Sequence, residues 1–408
     1  MPSTLYMLGN GFDLAHKLPT AYCDFFYFVE EIKRLSSNPT VPHTSSANSN
    51  LPQSTLEYLE GIFKLPSIPG YIQAIQSALC FNTPRAENLW HSYFRKKLNE
   101  KLNLNTWIDF EKEIENEINS VRSLLFCDTI SSSPIEMMKI IYRNMGNYLF
   151  TPFDRSWPEK ELSKYEIAIS TVIDCGKDAS SLIPDYRKEC SLFLYHELQR
   201  YIFCLELYLR FYVMERCFIP EKPNGFLQNL FDVNHPDFIL SFNYTDTYAN
   251  YLEQHQSEDV SKQHIHGKLR TAEQLSAAIK EQDYLHSPLV LGFNNHEKFE
   301  TSEDIQLLWF EKFFQRMLCK TGTDFFSWNN QVVDDEIHTI IYGHSLDKTD
   351  GDFIRSIFKS SSKITVYYYQ ESNLPQLISN LILVFNRNQV NYYYTTGILE
   401  FLPIPQDT

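Results

Sequence analysis

Two textures of hydrophobic and polar positions divide the chain. Over residues 20–35, and again from about residue 55 to 230, apolar residues recur every three or four positions, the period of helices with one buried face. Before and after these stretches, short apolar runs stop abruptly at glycine or asparagine, as buried strands do on reaching a turn. The first run, Thr4 to Leu8, breaks at Gly9-Asn10-Gly11 and continues into helix-compatible sequence from Phe12 to His16. Residues 20–35 place Tyr22, Phe25, Phe26, Val29 and Ile32 at helical spacing and predict an amphipathic helix. Residues 36–54 are polar and proline-punctuated and predict a surface loop. Another helix opens at Asn105-Thr106, capped by Thr106, and aligns Trp107, Phe110, Ile114, Ile118 and Val121 in one stripe. Its Asp109, Glu111 and Glu113 read as a solvated first turn complementing the helix dipole, in preference to catalytic carboxylates. Residues 192–216 are apolar nearly all round and predict the central helix of a bundle, with His196 a core or boundary histidine.

Near residue 232 the short β-rich runs return: Phe238–Phe242, Gln263–Lys268, Leu289–Phe293, Ile337–Tyr342 and Lys363–Tyr369. Strands spaced by helices predict an α/β fold with a parallel sheet. The opening strand has no α/β partner close in sequence. The simplest architecture therefore joins residues 1–30 and 232–408 into one Rossmann-like nucleotide-binding domain, with residues 31–231 as an inserted helical domain. No internal repeat is evident.

Composition narrows the function classes. An apolar content of 43% among 408 residues indicates a folded protein, and 30 Phe with 25 Tyr favour thick aromatic cores. The net charge of −15, with Lys and Arg scattered, weighs against nucleic acid or an anionic membrane surface as partner. The eight cysteines include no C-x-x-C pair and read as free thiols of a reducing compartment, neither a disulfide frame nor a zinc site. No leader-like segment opens the chain, and no uncharged apolar run reaches the roughly 18 residues of a membrane span. The expectation is a cytoplasmic protein. A homo-oligomer stays open.

Candidate chemistry gathers where strands end. Gly9-Asn10-Gly11-Phe12-Asp13, Asn243-Tyr244-Thr245-Asp246, His266-Gly267 and Gly343-His344-Ser345-Leu346-Asp347 each follow a predicted strand. Ligands of open α/β sheets bind at that edge. The first turn carries two glycines of the dinucleotide fingerprint, but Leu14 stands where the third belongs; a plain structural turn is the alternative. A strand turning on glycine into a helix suits a phosphate. His264 and His266 alternate and raise a metal option, but no third ligand has suitable spacing, so no metal is expected. His266 reads instead as a general base or the group orienting one, and Asn243 as holding a ribose hydroxyl or a water. Tyr244 and Phe12 would supply apolar walls. Ser345 lacks the G-x-S-x-G pattern of an α/β-hydrolase.

The opening Leu8–His16, with Leu18-Pro19-Thr20 and the Tyr22/Phe25/Phe26 helix, resembles the start of the AbiH family, bacterial abortive-infection proteins of antiphage defence. Trp107–Glu111, Ser241–Asp246, His264–Gly267, Leu291–Phe293 and Tyr342–Leu346 follow in the family's order, so the resemblance spans nearly the whole chain. That family is in turn similar to sirtuin-like defence domains that bind and hydrolyse NAD. The resemblance implies NAD or a related nucleotide as substrate, cleaved at the glycosidic bond, with a phage or host protein as trigger. It implies that Gly9, Asn10, Gly11 and Phe12 hold the phosphates, beside Asp13. Asn243 would hold the nicotinamide ribose or the attacking water, with Tyr244 alongside. His266 would be the catalytic histidine, with Asp246 also in the catalytic set. Gly343, His344 and Ser345 would take the adenosine side. The chain departs from the pattern at Asn10, where alanine is common, and at Thr245, where aspartate is expected and Asp246 comes one place later. Without zinc-binding cysteines, protein deacetylation is not implied. Two other classes stand beside this: a nucleotide-sensing binding module, and a nuclease using Asp13, Asp246, Asp347 and Asp350 around a metal.

Overall fold

The computed structural model describes residues 3–37, 51–80, 87–99, 107–125, 183–220, 224–253, 260–294, 304–322, 325 and 336–405. Most of the expected 36–54 loop and the Thr106 cap fall outside these residues.

Six strands form one parallel sheet: β1 (Ser3–Leu8), β2 (Phe238–Ser241), β3 (Ser261–His264), β4 (Ile337–Tyr342), β5 (Lys363–Tyr368) and β6 (Leu399–Pro403). Their order is β3-β2-β1-β4-β5-β6. The opening strand lies at the centre, Leu5 pairing with Phe238 on one side and Thr339 on the other. Strand order reverses direction between β1 and β4, the switch point at whose carboxyl edge open α/β sheets take their ligands.

Alternation sends β1 side chains to both faces. Tyr6 and Leu8 join Phe12 of α1 (Asn10–Ala15), Leu227 and Phe231 of α8 (Gly225–Val233), and Tyr251 of α9 (Ala249–Glu253). Leu5 and Met7 join Phe353 and Ile357 of α12 (Gly351–Ser360), Leu381 of α13 (Leu374–Val384) and Val390 of α14 (Arg387–Thr395). The sheet is thus covered on both faces, as parallel sheets require.

A third core is helical. It packs α2 (Tyr22–Ser37), α3 (Gln53–Phe63), α4 (Gly70–Ala78), α5 (Leu89–Asn99), α6 (Trp107–Leu125), α7 (Ile183–Leu207) and α10 (Ala272–Glu281). The expected boundary at residues 30 and 31 falls inside α2. The long helix around 192–216 is present as α7, and its last part, Tyr208–Cys217, is wound as a π-helix. No helix among the described residues is long and apolar enough to cross a membrane.

Two elements differ from the sequence reading. Leu289–Phe293 is buried but is not a strand; Phe293 makes only an isolated bridge to Glu311. The reason is Gln315 of α11 (Lys312–Cys319), whose amide accepts from Leu291 N–H at 2.9 Å and donates to Leu291 C=O at 3.0 Å. A side chain has taken the bonds a neighbouring strand would make. The edge strand β6 was not expected, although Gly397 and the run Leu399–Leu402 mark it.

Candidate functional site

The carboxyl ends of β1, β2, β3 and β4 meet, and the four expected clusters come together there in part. The first turn is tied to the turn after β4. Gly9 N–H donates to Tyr342 C=O at 3.0 Å, and Gly11 N–H to Gly343 C=O at 2.9 Å. Phe12 N–H donates to Gly9 C=O at 2.9 Å. A Cβ on Gly9 would lie 2.5 Å from His344 Cα, and one on Gly11 2.5 Å from Gly343 Cα. Gly343 itself has φ +67°. The glycines therefore let two turns interlock, and three backbone donors expected to meet a phosphate are already used within the protein. The Asn10 amide donates to Thr20 C=O at 3.2 Å, and Phe12 is buried against Tyr342 and Tyr251 instead of lining a crevice wall.

Asp13 is buried and accepts from the hydroxyls of Thr245 and Thr247, each at 2.6 Å. Burial pushes its carboxyl up to about 6, against the pull of those two donors and of Asn243. Asn243 donates through Nδ2 to Gly9 C=O at 3.0 Å, stitching the β2 end to the first turn. Its Oδ1 accepts from no described residue. Asp246 turns outward to Lys268 at 3.0 Å. Burial acts to raise its pKa, but Lys268 holds it below the usual carboxylate range. Ser345 is half-buried, and its C=O accepts from the Asn380 amide at 2.8 Å.

The two histidines after β3 do not share a ligand position. His264 lies between Tyr248 OH and Asn243 C=O, each 2.9 Å away. His266 reaches the other way and places Nε2 2.9 Å from Asp350 Oδ1. An ionised carboxylate only accepts, so Nε2 carries the proton and Nδ1 is left as the basic nitrogen. Nδ1 makes no hydrogen bond to a described residue. Burial and the Lys312 charge hold this imidazole down at about 4, with Asp350 opposing. It is neutral at physiological pH.

Asp350 is the hub. Lys312 Nζ of α11 lies 3.2 Å from Oδ1. His344 Nε2 lies 3.5 Å from Oδ2, while His344 Nδ1 accepts from Leu346 N–H at 3.0 Å, so this imidazole also turns its N–H toward the carboxylate. Burial acts to raise the Asp350 carboxyl, but Lys312 and His266 hold it well below the usual range. Lys312 reaches on to Glu111 Oε1 of α6 at 2.8 Å. Tyr244 closes the group, its ring 6.4 Å from His266 and its OH donating to Val290 C=O at 2.8 Å. The result is a buried chain of charge, His266–Asp350–Lys312–Glu111, assembled from four distant segments.

Sequence reasoning missed Lys312 and set Glu111 aside as solvated. The spacing held a signal: Glu111 is three residues before Ile114 and four after Trp107, on the apolar stripe. The Asp109 side chain lies outside the described residues, and Glu113 bonds Tyr93 OH at 2.9 Å. The four carboxylates considered for a nuclease do not converge: Asp13 faces two hydroxyls, Asp246 a lysine, Asp350 the hub, and Asp347 caps Thr349 N–H. Among the described residues, one group of metal-ligand type is drawn together, Glu30, Glu87 and His91. Arg95 and Lys33 already pair with its carboxylates.

Fold and site define a parallel α/β protein with a buried acid–base cluster at the carboxyl edge of its sheet. A family profile described as "Bacteriophage abortive infection AbiH" matches residues 5–369, and the chain belongs to that family. No curated protein and no solved structure matches the chain.

Proposed function

We propose that this protein serves abortive infection by hydrolysing NAD or a related nucleotide at its glycosidic bond, at the carboxyl edge of the sheet, with Asn243, Tyr244, His266 and Asp350 from the loops after β2, β3 and β4. Three things support the reading. Membership of the AbiH family points to an antiphage role. The strand order is the one found in doubly wound sheets that bind dinucleotides. The observation that carries the chemistry is His266, neutral, anchored through Nε2–H by Asp350 and with Nδ1 uncommitted.

In this reading the carboxylate fixes tautomer and ring orientation, as the acid of a catalytic triad does. Nδ1 takes a proton from water, the water oxygen bonds to the ribose C1′, and nicotinamide leaves with the electrons of the broken C–N bond. Water and NAD give nicotinamide, ADP-ribose and a proton. Asn243 Oδ1 orients the water or a ribose hydroxyl, and Tyr244 supplies an apolar wall. The phosphates are not held by the first-turn donors, which are spent. A general base at this place contributes about 100-fold or more. Nicotinamide release from NAD, followed by chromatography, should therefore fall at least about 100-fold in His266→Ala with the melting temperature retained.

One observation favours a second reading, nucleotide sensing without turnover. The cluster is closed, with His266 Lys312, Glu111 and Asp350 all buried, so a ligand must part the lip to reach it. A melting shift with NAD or ADP-ribose but no nicotinamide release would select that reading and overturn the first.

A further inference from the structure

A buried lysine is one of the points that join the inserted helices to the sheet. Lys312 is only 1% exposed and has two carboxylate partners, Asp350 from the loop after β4 and Glu111 from α6. Glu111 is itself buried, on the face of α6 that also buries Phe110 and Ile114. Every charge in the group is therefore out of water and senses its neighbours strongly. A structural ion pair needs one acid for one lysine. Here two acids share it, and one of them orients the imidazole read as the base.

We propose that Glu111 is a positioning residue of the site: acting through Lys312, it sets the electrostatic state of the His266–Asp350 pair, so that the inserted helices control the site they cover. This rests on the reading of His266 as the base. The groups facing Glu111 are Lys312, Asp350, Asp347 and Tyr244; those facing His266 are Lys312, Asp350, Arg316 and Tyr244; and those facing Asp350 are Lys312, His266, His344 and Glu111. Burial pushes the Glu111 carboxyl up to about 7, against Lys312. The two acids of one lysine thus stand far apart in pKa, the arrangement by which neighbouring groups take separate roles. With Glu111 protonated, the Lys312 charge belongs to Asp350 alone. With Glu111 ionised, the two acids compete for Lys312, and Asp350 is left freer to draw on the His266 N–H. Drawing α6 away from Lys312 has the electrostatic effect of protonating Glu111. A protein that binds the helical block could act on the site by this route.

The test follows the His266 ring by NMR in the full-length, histidine-labelled protein from pH 5.5 to 8.5, assigned with His266→Gln. The native protein should show an inflection near pH 7 in the His266 signals, far above the titration of the ring itself. Glu111→Gln should abolish it, and so should Lys312→Met, which removes the link. An inflection that survives Glu111→Gln, or none in the native protein, would overturn the proposal. Should Glu111→Gln not fold, Glu111→Asp decides the matter: an inflection moved or reduced supports the coupling, and an unmoved one refutes it. The readout needs no turnover. A chain that leaves NAD intact still tests the coupling, and failure here leaves nicotinamide release to be judged separately. If nicotinamide is released, kcat of Glu111→Gln should lose its pH dependence between pH 6 and 8.

Discussion

A methyl group on Gly11 would sit 2.5 Å from the Gly343 Cα, and one on Gly343 would meet the Gly11 carbonyl carbon at the same distance. The two glycines are a matched pair, one from each of the two interlocked turns. In the sequence they read as a ligand's cradle because the pattern Gly-x-Gly after a strand states only that a backbone comes close. It does not say to what. The same holds for Asp13. Its place at the end of the first turn was legible; its engagement by Thr245 and Thr247 was not, because those residues are more than 230 positions away. That engagement has a measurable consequence. Burial raises the folded-state carboxyl to about 6 from an ordinary 3.8, so its contribution to stability is full below the ordinary value and is lost as pH rises through about 6. Asp13→Asn does not titrate. Between pH 4 and 8 the native protein should lose about 3 kcal/mol relative to that variant. Urea unfolding of both proteins across this range measures the difference, and a constant difference would mean that the carboxyl is not held out of water.

In α11 the apolar face and the buried face are opposite ones. Its pattern marks Phe313, Met317 and Leu318 as an apolar face, and helix periodicity would turn that face inward. The structure does the opposite. Phe313, Met317 and Leu318 are 55%, 64% and 51% exposed, whereas Lys312, Gln315 and Arg316 are buried. Each buried polar group has a specific partner: Lys312 the two carboxylates, Gln315 the Leu291 backbone, Arg316 the Asp352 carboxylate and the Phe353 ring at 4.8 Å. Those partners lie in other elements, so no local pattern announces them. β1 and α6 were legible because each is dominated by burial of apolar side chains. α11 was not, because hydrogen bonding decides which way it faces. The expected outcome separates the two faces. Met317→Ser should change stability by no more than about 0.5 kcal/mol. Gln315→Leu should cost about 2 to 4 kcal/mol, since it leaves the buried Leu291 N–H and C=O unpaired. Denaturant midpoints of the two variants make the comparison, and equal losses would refute the inverted orientation.

At the scale of the whole molecule, the question is whether the helical block and the sheet behave as one body. The primary chain suggests two, because a largely helical block, residues 31–231, interrupts an α/β pattern. The packing joins them. The helical core built on α2, α5 and α7 also contains Tyr244, Leu269, Leu291 and Phe310, all from connections of the sheet. Phe310 is fully buried, with Trp90 of α5 and Tyr195 of α7 each 6.0 Å from its ring centre. Buried polar links cross the same boundary: Arg270 pairs with Glu206 of α7 at 2.7 Å, and Tyr208 OH donates to Pro19 C=O at 2.7 Å. A core that takes side chains from both parts cannot lose one part and keep its packing density, because the survivor would expose a large apolar face to water. Thermal unfolding should therefore be one transition, with the calorimetric and van't Hoff enthalpies equal. Phe310→Ala probes the joint itself. Removing a fully buried phenylalanine costs about 3 to 5 kcal/mol. If the body is one, the whole transition moves down together, followed alike by far-ultraviolet and aromatic circular dichroism. Two transitions, of which Phe310→Ala shifts only one, would show that the helices and the sheet unfold separately. The Glu111–Lys312 contact would then join two independently folding units.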